Sequence, residues 1–314
     1  MKRLQNRIAE SGWLLPSAAV VGIASAAVSL VGHHSSLEEW VSLLCFAMSA
    51  YMMVEMSNAN ALLRVRSRMV TSTFIMLSVS AGFLVGPIPP VLTQLSFVAA
   101  ALILFTTYQD KQSVGRTFYS FLFVGLASCT FVQTFYLMPV LWVMMATQLQ
   151  SLSWRTWSAS IFGVVTPYWL MLPWLVLEGD FTLWTAHVQR LATFAQPFSY
   201  TGISAWQAAV FAFTMLLCVV GMVHFWSRSY EDKIRIRLLY GFFSTMSLLC
   251  GLLLVVQPQH YATLMRLLLV FASPLIAHFF THTSSRLTNV SFVLALMAAI
   301  GIAVAGLLWP SVTI

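Results

Sequence analysis

A single arginine interrupts a long apolar segment near the C-terminus of the chain. The stretch QHYATLMRLLLVFASPLIAHFF, residues 259–280, places Arg266 among leucine, valine, phenylalanine and alanine. A guanidinium stays protonated, and an arginine at the centre of a bilayer costs about 2.5–3.5 kcal/mol on insertion scales. On a helix, Thr263, Ser273 and Ala277 share the side of Arg266, and such a polar and small stripe usually faces other helices. We therefore expect Arg266 to point into a bundle or to reach the outer interface.

The sequence leaves two roles open for Arg266. It could be structural, bonded to backbone carbonyls or paired with Glu39 or Glu178, or it could hold an anion such as a lipid phosphate near the outer surface. His187 and Arg190 are three residues apart on a predicted helix, so both could contact one anion. We predict an anion- or lipid-binding group of Arg266, Arg190 and His187, with solvated or structural roles as the alternative for each.

The candidate catalytic residues are two carboxylates predicted on the outer side. Glu39 follows Glu38 in the first outer loop, and Glu178 follows the seventh predicted span. Either could act as a general base, although a solvated loop residue is the simpler interpretation. His278 and His282, four residues apart, would need further ligands to bind a metal, so the sequence predicts neither a metal site nor a cofactor.

Sequence motifs for nucleotide, metal and ester chemistry are absent. The chain contains no GxxxxGK[ST], GxGxxG, HExxH or GxSxG pattern. No pair of carboxylates lies within one apolar segment, which argues against ion-coupled pumps and proton relays. Basic residues are not interleaved with exposed aromatic residues, so nucleic acid is not an expected partner.

The composition defines the class of protein. Of the 314 residues, 59% are hydrophobic and 8% are charged, whereas soluble domains average about 25% charged. A span needs about 20 mostly apolar residues, and hydropathy predicts eleven spans: Trp13–Val31, Val41–Met56, Met69–Gly86, Pro90–Thr107, Phe118–Val132, Met138–Gln148, Thr156–Leu177, Ser204–Trp226, Leu238–Val256, Tyr261–Thr281 and Val290–Leu308. We therefore predict an all-α, polytopic transmembrane helix bundle that forms one integral membrane domain over residues 1–314.

The placement of lysine and arginine predicts the topology. The fifth and sixth spans, within residues 118–148, are short enough to form a re-entrant hairpin, so the prediction is eleven spans, or nine plus a hairpin. With the N-terminus inside, all lysines and arginines except Arg190 and Arg266 fall on the inner side. Because cytoplasmic loops carry the excess of these residues, we predict an N-inside, C-outside chain. The signal-like N-terminal segment is expected to remain as an uncleaved anchor.

The longest outer connection, residues 178–203, has apolar residues every three or four positions. They are Phe181, Trp184, Val188, Leu191, Ala195 and Phe198. This period predicts one amphipathic helix in the outer membrane interface, with Asp180 as its N-cap and Pro197 at its end. The residues predicted on its polar face are Thr182, Gln189, Arg190 and Thr193, with His187 at the margin.

Four stretches follow one another along the chain: NANALLRVRSRMVTSTFIML, YQDKQSVGRTFYSFLFVGLASCTFVQTFYLMPVLWVMM, LSWRTWSASIFGVVTPYWLM and QHYATLMRLLLVFASPLIAHFF. Together they resemble a bacterial domain-of-unknown-function family of polytopic inner-membrane proteins, over most of the chain from Asn58 to Phe280. The resemblance implies a Gram-negative inner membrane, where the outer side is the periplasm, and it implies no activity. The GLAS stretch followed by Pro139 is also loosely similar to multi-pass glycosyltransferases that use polyprenyl-phosphate sugars, but those enzymes have a far larger first outer loop than residues 32–40.

The sequence favours a multi-pass protein of the bacterial inner membrane. We expect an accessory component of cell-envelope biogenesis that binds a lipid or a lipid-linked anion on its periplasmic side. Its expected partners are membrane lipids, with a lipid-linked glycan or other envelope proteins as further candidates. The first alternative is an integral-membrane, glycosyltransferase-like enzyme acting on polyprenyl-phosphate substrates, with Glu39 or Glu178 as base and Arg190 and Arg266 on the phosphate. The second alternative is a small-solute transporter.

Overall fold

The protein is all-helical in the part of the chain that the structure describes. The computed structural model describes residues 3–31, 36–179, 182–192 and 197–308, which contain no strand, and helix accounts for 83% of the residues. Seven of the described helices are long and apolar enough to cross a membrane, or eight if the bent pair Leu4–Glu10 and Leu14–Leu30 is one span. The predicted class, an all-α multi-pass membrane protein, is confirmed at this level.

The described residues form thirteen α-helices. They are α1 (Leu4–Glu10), α2 (Leu14–Val31), α3 (Leu37–Asn60), α4 (Met69–Ser80), α5 (Ile88–Leu104), α6 (Val114–Thr130), α7 (Met138–Thr147), α8 (Trp154–Glu178), α9 (Thr182–Ala192), α10 (Ala205–Arg228), α11 (Ile234–Val256), α12 (Tyr261–His282) and α13 (Arg286–Leu308). Each of the eleven predicted spans corresponds to one of these helices. The helix α9 corresponds to the predicted interfacial helix, and α1 has no counterpart in the prediction.

The chain divides into two compact units. Unit 1 comprises Met1–Ile88 and Phe198–Ile314, and unit 2 comprises Pro89–Pro197. The N-terminal and C-terminal helices therefore fold together, and the middle of the chain forms a unit of its own. The sequence predicts a single membrane domain, and the division into two units does not test that prediction.

In unit 1 the central helix is α12. It packs against α4, α10 and α11, and every residue of its most apolar stretch is buried. Pro274 lies inside this helix and cannot donate a hydrogen bond to the Val270 carbonyl, which instead accepts one from the Ser273 hydroxyl at 3.1 Å. Because α12 is surrounded, any polar side chain that it carries must find its partners inside the protein.

The helix α4 ends six residues earlier than predicted. The sequence predicts a span over Met69–Gly86, but the helix ends at Ser80. Gly82 has a φ of +65°, and the N–H of Phe83 donates to the Ser78 carbonyl at 2.9 Å. This arrangement is a Schellman-type helix end, which glycine adopts without strain. Hydropathy does not detect such an end, because the residues that follow it are still apolar.

Arg266 binds a backbone carbonyl in the non-helical segment after α4. The side chain of Arg266 is 1% exposed and points into the bundle. Its Nη1 donates to the Phe83 carbonyl at 2.6 Å, and its guanidinium carbon lies 4.5 Å from the centre of the Phe83 ring. A buried carbonyl that loses its donor costs about 1–3 kcal/mol, so the hydrogen bond stabilises this segment. A Cβ added to Gly86 would lie 3.1 Å from Nη2 of the same guanidinium, which leaves little room around it.

The N-terminal helix α1 turns sharply away from the first predicted span. The axes of α1 and α2 make an angle of 88°. The side chains of Gln5 and Asn6 both donate to the Thr283 carbonyl, and the N–H of Gln5 donates to Asn289 Oδ1 at 3.1 Å. These bonds tie α1 to the connection between α12 and α13.

In unit 2, α6 and α8 approach closely at two glycines. A Cβ added to Gly163 would lie 2.5 Å from the Phe118 carbonyl oxygen, and one added to Gly125 would lie 2.7 Å from that of Val164. Small residues let helix backbones approach in a membrane, where tight packing replaces the hydrophobic effect. The helix α7 has only ten residues and follows a 3-10 turn at Val132–Leu137, so the sixth predicted segment is short in the structure as well.

The helix predicted within residues 178–203 is confirmed over Thr182–Ala192. Three residues predicted on its polar face are exposed: Thr182, Gln189 and Arg190. Four residues of this prediction lie outside the described residues: Asp180, Phe181, Thr193 and Ala195. The assignment of Phe198 to the apolar stripe is wrong, because its backbone N–H donates to the Val256 carbonyl at 3.0 Å, in unit 1.

Replacing Arg266 should destabilise the protein through the Phe83 carbonyl. We expect Arg266→Met to lower the free energy of unfolding by about 1–3 kcal/mol, because a buried carbonyl loses its donor. Thermal unfolding in detergent measures the effect. The control Arg155→Met, at the exposed start of α8, should stay within about 0.5 kcal/mol of the wild type. Equal unfolding midpoints for the two variants would contradict this role.

Candidate functional site

A polar cleft of about 310 Å³ opens at one end of unit 1, where α10 and α12 end and α13 begins. Its charged and titratable lining consists of two arginines, one glutamate and three histidines: Arg64, Arg228, Glu231, His224, His278 and His282. Four hydroxyl groups complete the wall, from Thr283, Ser284, Ser285 and Thr288. The cleft therefore combines cationic groups, imidazoles and neutral donors within one small volume.

Asp232 lies behind the cleft and binds two of its residues. Its side chain is 1% exposed. Arg64 Nε donates to Oδ1 at 2.7 Å, and His278 Nε2 lies 3.3 Å from Oδ2. A 3-10 turn places the carboxylate, since the Asp232 N–H donates to the Ser229 carbonyl at 3.1 Å. A carboxylate buried this far requires such partners, because its desolvation is otherwise uncompensated.

Glu231 connects the two arginines at the rim of the cleft. Arg64 Nη1 lies 2.7 Å from Oε2 of Glu231, and Arg228 Nη1 lies 3.2 Å from Oε1. The Arg228 side chain is 60% exposed, whereas those of Arg64 and Glu231 are 32% exposed. Arg228 is thus the arginine most available to a ligand. With neutral histidines, the two arginines balance the charges of Glu231 and Asp232.

Aromatic rings hold His278 in place. It is fully buried, with ring centres 5.1 Å from Phe225 and 5.0 Å from Tyr240. The ring of His282 lies 4.4 Å away and that of His224 lies 6.1 Å away. The Nδ1 atoms of His224 and His278 are buried and have no hydrogen-bond partner among the residues that the structure describes. Because buried polar atoms are normally paired, these two nitrogens are positions for a ligand.

The start of α13 forms another wall of the cleft. The side chain of Ser285 accepts a hydrogen bond from the Thr288 N–H at 3.0 Å, which makes Ser285 the N-cap of this helix of 23 residues. The N-terminal end of a helix carries partial positive charge and free N–H groups, and both favour anions.

Asp232 and Arg64 lie outside the spans, and the contact between them determines the ionisation of both side chains. Burial alone would raise the pKa of the Asp232 carboxyl, but the hydrogen bond from Arg64 and the charges around it hold that pKa below its ordinary value. The same hydrogen bond raises the pKa of the Arg64 guanidinium. Asp232 is therefore a carboxylate at neutral pH, and a carboxylate only accepts hydrogen bonds.

The chemistry of the cleft fits an anion. Arginine and hydroxyl donors, together with a helix start, are the groups that bind phosphate and similar oxyanions in proteins. Within the described ranges, no group of three or more histidines, cysteines, aspartates or glutamates is arranged to hold a metal ion. The arrangement can therefore bind and orient an oxyanion at the rim and meet it with imidazoles further in.

The residues that the sequence singled out in unit 1 have local partners. The Glu39 carboxylate accepts from the Ser36 N–H at 3.2 Å, and the Glu39 N–H donates to Ser36 Oγ at 3.4 Å. This is a capping box at the start of α3. Arg266 donates to a carbonyl, as one of its two predicted roles requires. Glu178 ends α8 in unit 2, and its side chain lies outside the described residues.

His187 and Arg190 lie together on α9 in unit 2. His187 is half-buried, and its Nε2 lies 3.4 Å from the Tyr168 hydroxyl, which is 2.8 Å from Ser128 Oγ. Burial lowers the pKa of His187, a backbone hydrogen bond at Ser128 opposes this, and the charge of Arg190 lowers it further. His187 is thus neutral at pH 7, and of this pair only the exposed Arg190 supplies a cation.

Sequence reasoning missed Arg64, His224, Arg228 and Asp232 as site residues. One signal was present, since His224, His278 and His282 all occur near the predicted inner ends of two spans and therefore at similar depth. The sequence did not reveal that α10 and α12 are neighbours, because hydropathy locates a helix along the membrane normal and does not identify the helices that pack against it.

Asp232 should stabilise the folded protein at neutral pH and lose this contribution as the pH falls. Its folded-state pKa lies below the ordinary value, so its contribution is present above about pH 4 and is lost as the pH falls through the folded-state pKa. We expect Asp232→Asn to unfold about 3 kcal/mol more easily at pH 7, and the difference from the wild type to shrink towards pH 3. Thermal unfolding across this range measures it, with Glu55→Gln, an exposed carboxylate on α3, as control. A difference that is constant with pH would contradict the ion pair.

The cleft is thus the candidate site that the geometry of this chain supports. No family model, no curated protein and no solved structure matches the chain. The resemblance to a bacterial family of inner-membrane proteins, and the looser likeness to polyprenyl-phosphate glycosyltransferases, therefore remain predictions from the sequence.

Proposed function

We propose that this chain is a multi-pass protein of the bacterial inner membrane that binds a phosphate-type anion, as a lipid headgroup or free, in the cleft of unit 1. The observation that carries the proposal is the lining of the cleft, which combines the exposed Arg228 and the start of α13 with two histidines whose buried Nδ1 atoms have no partner among the described residues. The role is binding, in an accessory component of cell-envelope biogenesis, with membrane lipids and other envelope proteins as partners.

The topology in this proposal has eleven membrane segments, with the N-terminus inside and the C-terminus outside. Contacts within unit 1 support the alternation. Segments assigned to the inner side meet one another at Arg64 and Asp232. Segments assigned to the outer side meet where the Ile88 N–H donates to Glu38 at 3.4 Å and where the Tyr261 hydroxyl donates to the Gln207 carbonyl at 2.9 Å. The cleft then opens to the cytoplasm, where the other basic loops attract anionic lipid.

This placement moves the anion site from the periplasmic to the cytoplasmic side. The periplasmic expectation depended on Arg266 together with Arg190 and His187. The guanidinium of Arg266 is buried and donates to the Phe83 carbonyl. Arg228 is exposed and lies beside further donors, so it is better placed to bind an anion that arrives from solvent or from the headgroup layer.

Local contacts also favour the accessory role over the two alternatives. A transferase of the expected kind needs a free carboxylate as base. Of the two candidates, Glu39 is engaged in a capping box, and the side chain of Glu178 lies outside the described residues. A small-solute transporter needs a polar path near the middle of the membrane, whereas the middle of α12 is packed among apolar side chains such as Leu268, Val270 and Phe271.

The binding proposal is tested with purified full-length protein in detergent. Inorganic phosphate and short-chain phosphatidylglycerol should bind, and Arg228→Gln should weaken both about tenfold, because one charge-assisted hydrogen bond is worth about 1.5–3 kcal/mol. Isothermal titration calorimetry measures the affinities. The variant Arg155→Gln, an exposed arginine in unit 2, is the matched control. Equal losses in the two variants would reduce the effect to general surface charge and contradict a site at the cleft.

The topology is tested with reporter fusions in cells. Alkaline phosphatase, which is active only in the periplasm, should be active when fused after the C-terminal residue and inactive when fused after Arg68 or Ser284. The reason is the excess of lysine and arginine in the loops assigned to the cytoplasm. A green fluorescent protein reporter should give the reverse pattern. Phosphatase activity after Ser284 would place the cleft outside and contradict the proposal.

A further inference from the structure

The partner of His278 determines which of its ring nitrogens carries the proton. Oδ2 of the Asp232 carboxylate lies 3.3 Å from Nε2 of His278, and a carboxylate offers no hydrogen. The contact is a hydrogen bond only if Nε2 carries the proton. A neutral imidazole has a single N–H, so Nδ1 of His278 is then an acceptor. This acceptor is buried, and no group in the described part of the chain donates to it.

The other groups around His278 do not supply that donor. The Tyr240 hydroxyl is 3.2 Å from the Leu62 carbonyl and 3.4 Å from that of Pro274. The Arg64 side chain is bonded to Asp232 and Glu231. The backbone N–H of Arg64 donates to Nε2 of His282 at 3.4 Å. His278, a lining residue of the cleft, therefore carries a buried acceptor at Nδ1. The rim of the cleft carries the cation of Arg228 and the hydroxyls at the start of α13.

We propose that the ligand of this cleft is an oxyanion that itself carries a hydrogen-bond donor, an O–H or N–H group beside its negative oxygens. This inference rests on the proposed function and names the ligand class of the same site. The negative oxygens bind Arg228 and the start of α13, and the donor binds Nδ1 of His278. An oxyanion without a donor would turn a lone pair towards this nitrogen and leave it unpaired, and an unpaired buried acceptor opposes binding.

Protonation of His278 is the competing way to satisfy a donor-free anion. The doubly protonated ring would donate from Nδ1, but it would add a buried positive charge close to Arg64, His224 and His282. The charges of Arg64 and Arg228 are already balanced by Glu231 and Asp232, so the extra charge has no counter-ion except the ligand. A neutral His278 predicts a preference for donor-bearing anions. A doubly protonated His278 predicts no preference, because it allows a donor-free anion to bind as well as a donor-bearing one.

Two ligand pairs separate the cases and also separate lipid from free phosphate. Hydrogen phosphate carries an O–H at neutral pH, whereas sulfate has similar size and charge and carries none. Phosphatidylglycerol carries headgroup hydroxyls, whereas phosphatidylmethanol has the same phosphodiester charge and no donor. Full-length protein in detergent is titrated with the two inorganic anions at pH 7, and native mass spectrometry of the protein in mixed nanodiscs compares the two lipids.

We expect the wild type to prefer the donor-bearing member of at least one pair about tenfold, and the pair that shows it identifies the source of the ligand. In Asp232→Asn the amide can donate to Nε2 of His278, which moves the proton to Nδ1, so the preference should fall to about one. His278→Phe, which fits the aromatic surroundings of Phe225 and Tyr240, removes the acceptor and should have the same effect if the asparagine variant does not fold. The control His260→Asn, at the opposite end of α12, should keep the preference.

The possible failures are distinct. Equal binding of donor-bearing and donor-free ligands by the wild type, or a full preference in folded His278→Phe, would overturn the ligand class and leave anion binding intact. Absence of measurable binding by all four ligands would overturn the proposed function itself.

Discussion

The constraint on which this structure depends is that a backbone carbonyl inside an apolar bundle must have a donor. The helix α4 stops at Ser80, and the chain continues as non-helical backbone through Phe83. The carbonyls of such a segment no longer have helical partners, so other protein groups must satisfy those that are buried. Arg266 does so with a hydrogen bond of 2.6 Å to the Phe83 carbonyl and a cation–π contact to the ring. This hydrogen bond gives a structural reason for the single arginine within an apolar segment and for the stability of the non-helical residues after α4.

The cleft at the other end of unit 1 follows from the same rule applied to a side chain. The buried Asp232 carboxylate is stable because Arg64 and His278 bind it, and binding it sets the proton position on His278. The contacts of Asp232 thus balance the charge of Arg64, orient the ring of His278 and determine which nitrogen of that ring donates. In our proposal, a change at Asp232 therefore affects both the stability of the cleft and its ligand selectivity, since it alters whether Nδ1 of His278 accepts or donates a hydrogen bond.

The sequence was most informative about the apolar segments and their periodicity. All eleven apolar segments correspond to helices, because hydropathy reports burial in lipid or in protein equally well, and the period of residues 178–203 located α9. It failed where a single residue changes the backbone or where a partner is distant. Gly82 ends α4 within an apolar run. A bond from Arg266 to a backbone carbonyl was one of its two predicted roles, but its partner Phe83 is 183 positions away and was not identified. The cap formed by Glu39 and Ser36 was also not predicted.

The sequence by itself determined that this is an all-α, multi-pass membrane protein, since 59% hydrophobic and 8% charged residues cannot form a soluble core and surface. It also located the helices α2 to α13, although it did not predict α1 or the end of α4. Only the tertiary structure decided that Arg64, His224, Arg228, Asp232 and His278 share one site, because these residues come from separate helices and turns whose adjacency is set by packing. Periodicity specifies the buried face of each helix, but apolar faces are nearly interchangeable, and shape complementarity between particular helices decides which of them meet.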